Sequence, residues 1–194
     1  AQELGLNAYR FSIEWSRLEP KPGHWDTASL EWYAELIGEC ERRSLMPMMT
    51  LHHFTSPQWF AEQGGFTSPE APHYFASFVA KVIKTIGARV PLWCTLNEPM
   101  VMVIGQYLGL FMPPARFHPE SASRALTGLL ESHVKAYDLI HSKMPRRKGP
   151  FRHRELQVGI AHNLMDFQAS RHWHPMERLM ASVAWKFYNR AWLD

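Results

Sequence analysis

The feature that most constrains the fold of this chain is a fourfold alternation of strand-like and helix-like patterns. The strand-like runs are short and largely apolar, and they lie at residues 7–13, 46–52, 92–97 and 156–163. After each run, apolar residues recur at helical spacing: Leu30 to Cys40, Phe75 to Ile86, Leu126 to Ile140, and Met176 to Phe187. Because parallel strands need long crossover connections, usually helices, the alternation predicts an α/β fold with a parallel sheet.

The positions of the polar residues favour a (β/α) barrel over a doubly wound open sheet. No Gly-rich phosphate-binding loop follows any of the predicted strands, as a nucleotide-binding open sheet would require. Polar side chains collect instead where the strands end: Arg10 and Ser12, His52 and His53, Asn97 and Glu98, and His162 and Asn163. TIM barrels build their active sites at this edge. We therefore predict a (β/α)8 TIM-barrel fold, of which about half, four strand–helix units, is present.

We expect residues 1–194 to form a single partial barrel segment. A complete barrel needs about 250 residues. Residues 2–6 resemble the end of a helix that leads directly into a strand, and residues 190–194 stop within a helical pattern without a cap. An isolated half-barrel would expose edge strands and an apolar inner face. We therefore expect both ends to be truncated, with the remaining half of the barrel or a complementary chain as a partner.

Composition excludes several classes of protein. The chain is 46% hydrophobic and 20% charged, which is typical of a globular protein. No apolar run approaches the roughly 20 residues of a membrane span, and residues 1–6 lack the pattern of a signal peptide. Cys40 and Cys94 are too few for a disulfide framework, so we expect buried thiols in a reducing compartment, the cytoplasm.

The basic excess does not indicate a nucleic-acid partner. Much of it lies in residues 143–154, a stretch that also contains two prolines, a glycine and a single aromatic residue. This composition is typical of a solvated connecting loop. We expect neither nucleic acid nor a membrane as a partner.

Several motifs occur together and in a characteristic order. They are YRFSIEWSR at residues 9–17, TLHHF at 50–54 followed by Pro57, GGF at 64–66 and WCTLNEP at 93–99. Over nearly the whole chain they resemble glycoside hydrolase family 1, which contains β-glucosidases, β-galactosidases and phospho-β-glucosidases. The resemblance implies a (β/α)8 barrel that hydrolyses terminal β-linked glycosides, such as β-glucosides, with retention of configuration. We expect no cofactor.

The resemblance also implies roles for individual residues. Glu98 corresponds to the general acid/base, Asn97 to the amide that binds the sugar 2-hydroxyl, and His53 to the histidine near the 3-hydroxyl. Arg10 corresponds to the arginine beside the nucleophilic carboxylate. These residue types suit the chemistry, because a carboxyl at a water-poor strand end can hold a proton and a guanidinium keeps a neighbouring carboxylate ionised. From its place after the fourth strand, Asn163 is a further candidate for substrate binding, on the aglycone side.

Retaining cleavage needs a second carboxyl about 5 to 5.5 Å from the first. In the resembling family it belongs to a Glu-Asn-Gly motif, which is absent here. Glu14 and Glu19 are the acidic residues considered as substitutes, and we expect Glu14 to be structural. We therefore predict that the nucleophile lies outside this segment and that the segment alone is inactive.

Two other interpretations stay open. The chain could be a non-catalytic barrel fragment that binds carbohydrate or a complementary barrel half, or another barrel glycosidase such as a xylanase or cellulase, although the TLHHF and YRFS runs argue against the latter. Phe54, Thr55 and Ser56 depart from the Trp-Asp-Leu common in the family, so the glycone stays undefined. His172 and His174 offer only two ligands, so we expect no metal site.

Overall fold

The computed structural model describes residues 1–109 and 111–190 and contains one four-stranded sheet with the order β1-β2-β3-β4. The strands are β1 (Ala8–Ser12), β2 (Met46–His52), β3 (Leu92–Asn97) and β4 (Gln157–Ala161). Each strand pairs in parallel with the next. The middle two have the predicted bounds, whereas the outer two are shorter than predicted at both ends. The parallel α/β prediction is confirmed.

Helices connect these strands. They are α1 (Trp15–Leu18), α2 (Thr27–Arg42), α3 (Gln58–Glu62), α4 (Ala71–Ile86), α5 (Pro99–Tyr107), α6 (Pro119–Lys143) and α7 (Pro175–Trp185). Short 3-10 helices lie at Gln2–Leu4, Gly65–Thr67 and Gly87–Arg89, and a π-helical turn at Lys186–Arg190. The predicted helices correspond to α2, α4, α6 and α7. The sequence predicts that residues 190–194 end in a helical pattern without a cap; of these, residues 191–194 lie outside the described residues.

Local sequence sets where the helices begin. Pro99, Pro119 and Pro175 occupy the first turn of their helices, where the missing N–H has no intrahelical partner to lose. Asp26 caps α2 by accepting a hydrogen bond from the Ser29 amide at 2.5 Å. The helix α6 starts well before the predicted apolar stripe. The stripe missed the first turns because their buried residues, such as Ala122, are small rather than large and apolar.

An aromatic cluster fills the core between the sheet and its helices. Trp15 is 1% exposed and packs on Phe60 and Phe78 with ring centroids 4.8 and 4.9 Å apart. Phe75 joins the cluster from α4 and is fully buried. Many of the chain's aromatic residues are therefore core residues. Trp173, by contrast, is 75% exposed.

Cys40 and Cys94 are both buried free thiols, as predicted. The basic stretch after α6 is a connecting loop, and it folds on itself because the Arg147 guanidinium donates to the Phe151 carbonyl at 2.8 Å and also to the Arg154 carbonyl. Within residues 1–109 and 111–190, no helix combines the length and the apolar character needed to cross a bilayer.

The helix α6 approaches the backbone of the 3-10 helix Gly65–Thr67 closely. Gly128 of α6 faces the Phe66 carbonyl so closely that a β-carbon there would overlap the carbonyl oxygen. Phe66 is buried and packs edge-on against Phe60 and Phe75. The absence of a side chain at position 128 therefore sets the distance between α6 and the GGF motif.

Replacing Gly128 with Ala should destabilise the fold by roughly 1 to 3 kcal/mol through overpacking, although alanine is the better helix former. Gly38→Ala in α2 is the matched control, because its β-carbon would meet only the ends of the Arg89 and Arg42 side chains. Urea unfolding of both variants checks this. Equal stabilities for the two variants would contradict the close-approach interpretation.

Candidate active site

The Arg10 guanidinium connects three neighbouring strand ends. Its Nε donates to Thr50 Oγ1 of β2 at 2.9 Å, and one terminal nitrogen donates to Asn97 Oδ1 of β3 at 2.6 Å and to Cys94 Sγ at 3.5 Å. None of the described residues places a carboxylate in contact with this guanidinium. A permanent positive charge therefore stands at the edge of the sheet with only neutral partners.

Asn97 ends β3 as a buried amide, 6% exposed. Because a guanidinium can only donate, the atom that faces Arg10 must be Oδ1. The amide nitrogen has no hydrogen-bond partner in the described part of the chain. Asn97 therefore presents two N–H donors in a fixed orientation.

Glu98 adopts a left-handed backbone conformation, with φ 45° and ψ 60°. This conformation is strained for a residue other than glycine, at a cost of about 1 to 3 kcal/mol. It is held by the Glu98 amide, which donates to the Ala161 carbonyl at 2.7 Å, and by the first turn of α5, whose N-cap is Glu98. The side chain is half-buried. Strained backbone of this kind is concentrated at functional sites.

His53 follows β2 and is held by β1. Its Nδ1 lies 2.8 Å from Ser12 Oγ, so only Nε2 is available to a ligand. Burial and the nearby Arg10 charge lower the pKa of His53, and the Glu98 carboxylate opposes this shift. Burial and Arg10 thus both favour the neutral imidazole.

His52, which the sequence left undecided, is a core residue. It is 1% exposed, lies edge-on to Phe66 with centroids 5.0 Å apart, and its Nε2 is 3.0 Å from Ser56 Oγ. Burial lowers its pKa from 6.5 to about 4. Neighbouring histidines thus have different environments, and only His53 lies at the strand-end site.

The end of β4 contributes His162 and Asn163, both half-buried. The two ring nitrogens of His162 are buried and have no hydrogen-bond partner among the described residues. Burial lowers the pKa of His162, and the charge of Glu98 opposes this. Burial also raises the pKa of Tyr188, an effect to which Glu98 adds. Residues distant in sequence therefore share the electrostatic environment of Glu98.

Sequence reasoning missed several members of this constellation. Thr50 and Tyr188 were not predicted, and neither was Asn189, whose side-chain amide makes two hydrogen bonds to the Met165 backbone at 2.8 and 3.0 Å. Asn189 thereby fixes the loop after β4. The alternation of side chains along β2 could have indicated Thr50, since it pairs with Ser12 in register. Tyr188 and Asn189 lie in a π-helical turn that carries no local sequence signal.

The two acidic residues considered as substitute nucleophiles have structural roles. Glu14 Oε1 accepts from the amide and hydroxyl of Ser16 and so caps α1. Glu19 is buried and accepts from Trp15 Nε1 and from the Gly23 amide, each at 2.8 Å. Neither carboxylate contacts Arg10. This agrees with the expectation that Glu14 is structural.

His174 acts as the N-cap of α7, where its Nδ1 accepts from the Glu177 amide at 3.4 Å. Across residues 1–109 and 111–190, no three His, Cys, Asp or Glu side chains are grouped as metal ligands would be.

Comparison with known proteins gives consistent matches. The sequence model of glycosyl hydrolase family 1 matches residues 1–194. β-Glucosidase 11 of Arabidopsis thaliana is 36% identical over 73% of this chain and 27% of its own length. β-Glucosidase A of Acetivibrio thermocellus is 32% identical over 84% of this chain and 35% of its own.

Among solved structures, a β-glycosidase from Pyrococcus horikoshii is 35% identical and superimposes with a TM-score of 0.88 over 100% of this chain and 42% of its own. The predicted TIM-barrel fold is confirmed, and four of its strand–helix units are present. The chain spans less than half the length of each of these three relatives.

The buried His52 should make stability depend on pH. Its pKa is about 4 in the folded chain and near 6.5 when exposed, so the unfolded state binds the extra proton between these values. The free energy of unfolding should therefore fall as pH decreases from about 6.5 towards 4, by up to about 3 kcal/mol from this residue.

The comparison of wild type with His52→Gln isolates this contribution, because glutamine can still hydrogen-bond Ser56 but does not titrate. Urea unfolding at several pH values should give a shallower pH dependence for the variant. Parallel curves for the two proteins would show that His52 is not the titrating group.

Proposed function

Because the chain belongs to glycosyl hydrolase family 1, we propose that it forms the acid/base part of a retaining β-glycosidase that hydrolyses terminal β-linked glycosides such as β-glucosides. The observation that supports this most is the arrangement at the end of β3. Glu98 is held there in a strained conformation beside Asn97, whose amide is oriented by Arg10. A carboxyl and oriented donors at one edge of the sheet match what glycosidic cleavage requires.

In this mechanism Glu98 is the general acid that protonates the glycosidic oxygen as the bond to the anomeric carbon breaks. The free N–H groups of Asn97 donate to the sugar 2-hydroxyl, an interaction that strengthens as the ring becomes cationic. Nε2 of His53 hydrogen-bonds the region of the 3-hydroxyl, because Nδ1 is already engaged by Ser12. Asn163 at the end of β4 contacts the aglycone side.

The nucleophile is a second carboxylate outside residues 1–194, placed beside Arg10. In support, the guanidinium has three neutral partners and no acidic one among the described residues. This carboxylate attacks the anomeric carbon and forms a glycosyl-enzyme as the protonated aglycone leaves. Glu98, now ionised, then takes a proton from water, which displaces the carboxylate and releases the sugar.

This proposal includes a partial barrel that the remaining half or a complementary chain completes. An apolar stripe on α7 and the π-helical turn after it supports this proposal, because its side chains are 49% to 59% exposed: Met176, Leu179, Met180, Val183 and Phe187. The same stripe favours the second candidate function, a fragment that binds carbohydrate or a barrel half without cleaving it. The buried free thiols support the cytoplasm as its compartment.

Glu98→Gln tests the acid/base role. In a protein that supplies the second carboxylate, the variant should lose about 10²- to 10⁴-fold in turnover of an alkyl β-glucoside, because the leaving oxygen is no longer protonated. Glu31→Gln is the control, since this exposed carboxylate on α2 lies away from the strand ends. Equal activity of the two variants would exclude Glu98 as the acid.

The 194-residue chain alone should show no turnover of an aryl β-glucoside. Calorimetric titration with a β-glucoside, with and without a complementary C-terminal barrel segment, separates the candidates: binding without turnover in both cases favours the non-catalytic fragment. Turnover by the chain alone that Glu98→Gln abolishes would contradict an external nucleophile.

A further inference from the structure

The segment after β2 makes a tight turn of a rare form. Phe54 has a φ of 69°, and the Thr55 amide donates to the His53 carbonyl at 2.9 Å. A hydrogen bond between residues i and i+2 around a positive φ defines the strained form of the γ-turn. Positive φ is especially unfavourable for a bulky residue such as phenylalanine. The orientation of the His53 side chain therefore depends on a turn whose central residue, Phe54, does not favour that conformation.

Two side-chain hydrogen bonds connect this turn to the end of β1. Thr55 Oγ1 donates to Glu14 Oε2 at 2.7 Å, and Ser12 Oγ lies 2.8 Å from His53 Nδ1. The other oxygen of Glu14 is occupied by Ser16, so this carboxylate is fixed to α1. The turn is thus hydrogen-bonded through Thr55 and His53 to the end of β1 and the segment between β1 and α1, and Glu14 in that segment is itself held by Ser16.

These two hydrogen bonds matter because the residues that they hold in the turn are exposed. His53 and Thr55 are both exposed, so packing alone does not restrain them. A surface side chain without specific partners samples several rotamers, and that freedom must be lost when a ligand binds. The Ser12 hydroxyl can donate to or accept from Nδ1, so its contact restrains the orientation of the ring in either tautomer.

We propose that Ser12, Glu14 and Thr55 form a clamp whose role is to position His53 for its ligand. Glu14 and Thr55 hold the strained turn, and Ser12 fixes the orientation of the ring. These are positioning residues, since none of them contacts the sugar. The inference rests on the proposed function only in naming a sugar hydroxyl as the ligand of Nε2.

Thr55→Val removes the hydroxyl and keeps the shape of the side chain, whereas Thr55→Ser keeps the hydroxyl and serves as the matched control. Ser12→Ala and Ser12→Thr form the corresponding pair. The measurements are the affinity for phenyl β-glucoside by calorimetry and the ¹⁵N chemical shifts of the His53 imidazole, which report the hydrogen bond at Nδ1. Both are made on the chain of residues 1–194, with and without the complementary C-terminal barrel segment.

In the wild type the Nδ1 signal should have the shift of a hydrogen-bonded nitrogen. Thr55→Val and Ser12→Ala should move the ring signals towards those of an imidazole without this hydrogen bond and weaken glucoside affinity roughly three- to tenfold, as expected for the loss of one hydrogen bond. The two hydroxyl-retaining variants should resemble the wild type. A merely structural hydroxyl would leave the imidazole shifts unchanged.

Unchanged His53 shifts in both Thr55→Val and Ser12→Ala would overturn the clamp. If the wild type binds no glucoside while these variants still alter the imidazole signals, the clamp stands and the assigned ligand is wrong. Failure of the clamp and failure of the proposed function are therefore distinguishable.

Discussion

The Arg10 guanidinium is the interaction on which the rest of the site depends. It bridges Thr50 of β2 and Asn97 of β3 from its own position on β1, so it fixes the relative positions of three strand ends. Because guanidinium groups only donate, it also determines which face of the Asn97 amide is left for a ligand. Its remaining charge is unpaired by any carboxylate among the described residues, which is the strongest physical reason to place an anion beside it.

Around this bridge, two strained residues lie in the segments that present the proposed sugar-binding and catalytic groups. Glu98 and Phe54 both have positive φ. The Glu98 amide donates to Ala161 of β4, and the turn at Phe54 is held through Thr55 and His53 by Glu14 and Ser12. The remainder of the chain supplies the rigidity that such strain requires. The aromatic cluster around Trp15 and the close contact of Gly128 with Phe66 fix α4 and α6 against the outer side of the sheet.

Much of this arrangement could be predicted from local signals. The bounds of β2 and β3 followed from apolar runs, and the helices α2, α4, α6 and α7 from apolar residues at helical spacing, because these features act within a few residues. The placement of Arg10, His53, Asn97 and Glu98 at one edge followed from parallel topology, which brings the carboxyl ends of all strands together. The family resemblance added the chemistry that these positions suggest.

The sequence by itself thus determined the fold class, the strand-end location of the site and the residue types available there. Only the tertiary structure decided which atoms face one another: that Arg10 occupies the acceptor of Asn97, that His52 packs in the core while His53 does not, and that Tyr188 shares the electrostatic environment of Glu98. The physical reason is that periodicity fixes the face on which a residue lies, whereas hydrogen-bond partners and burial depend on contacts between segments far apart in the chain.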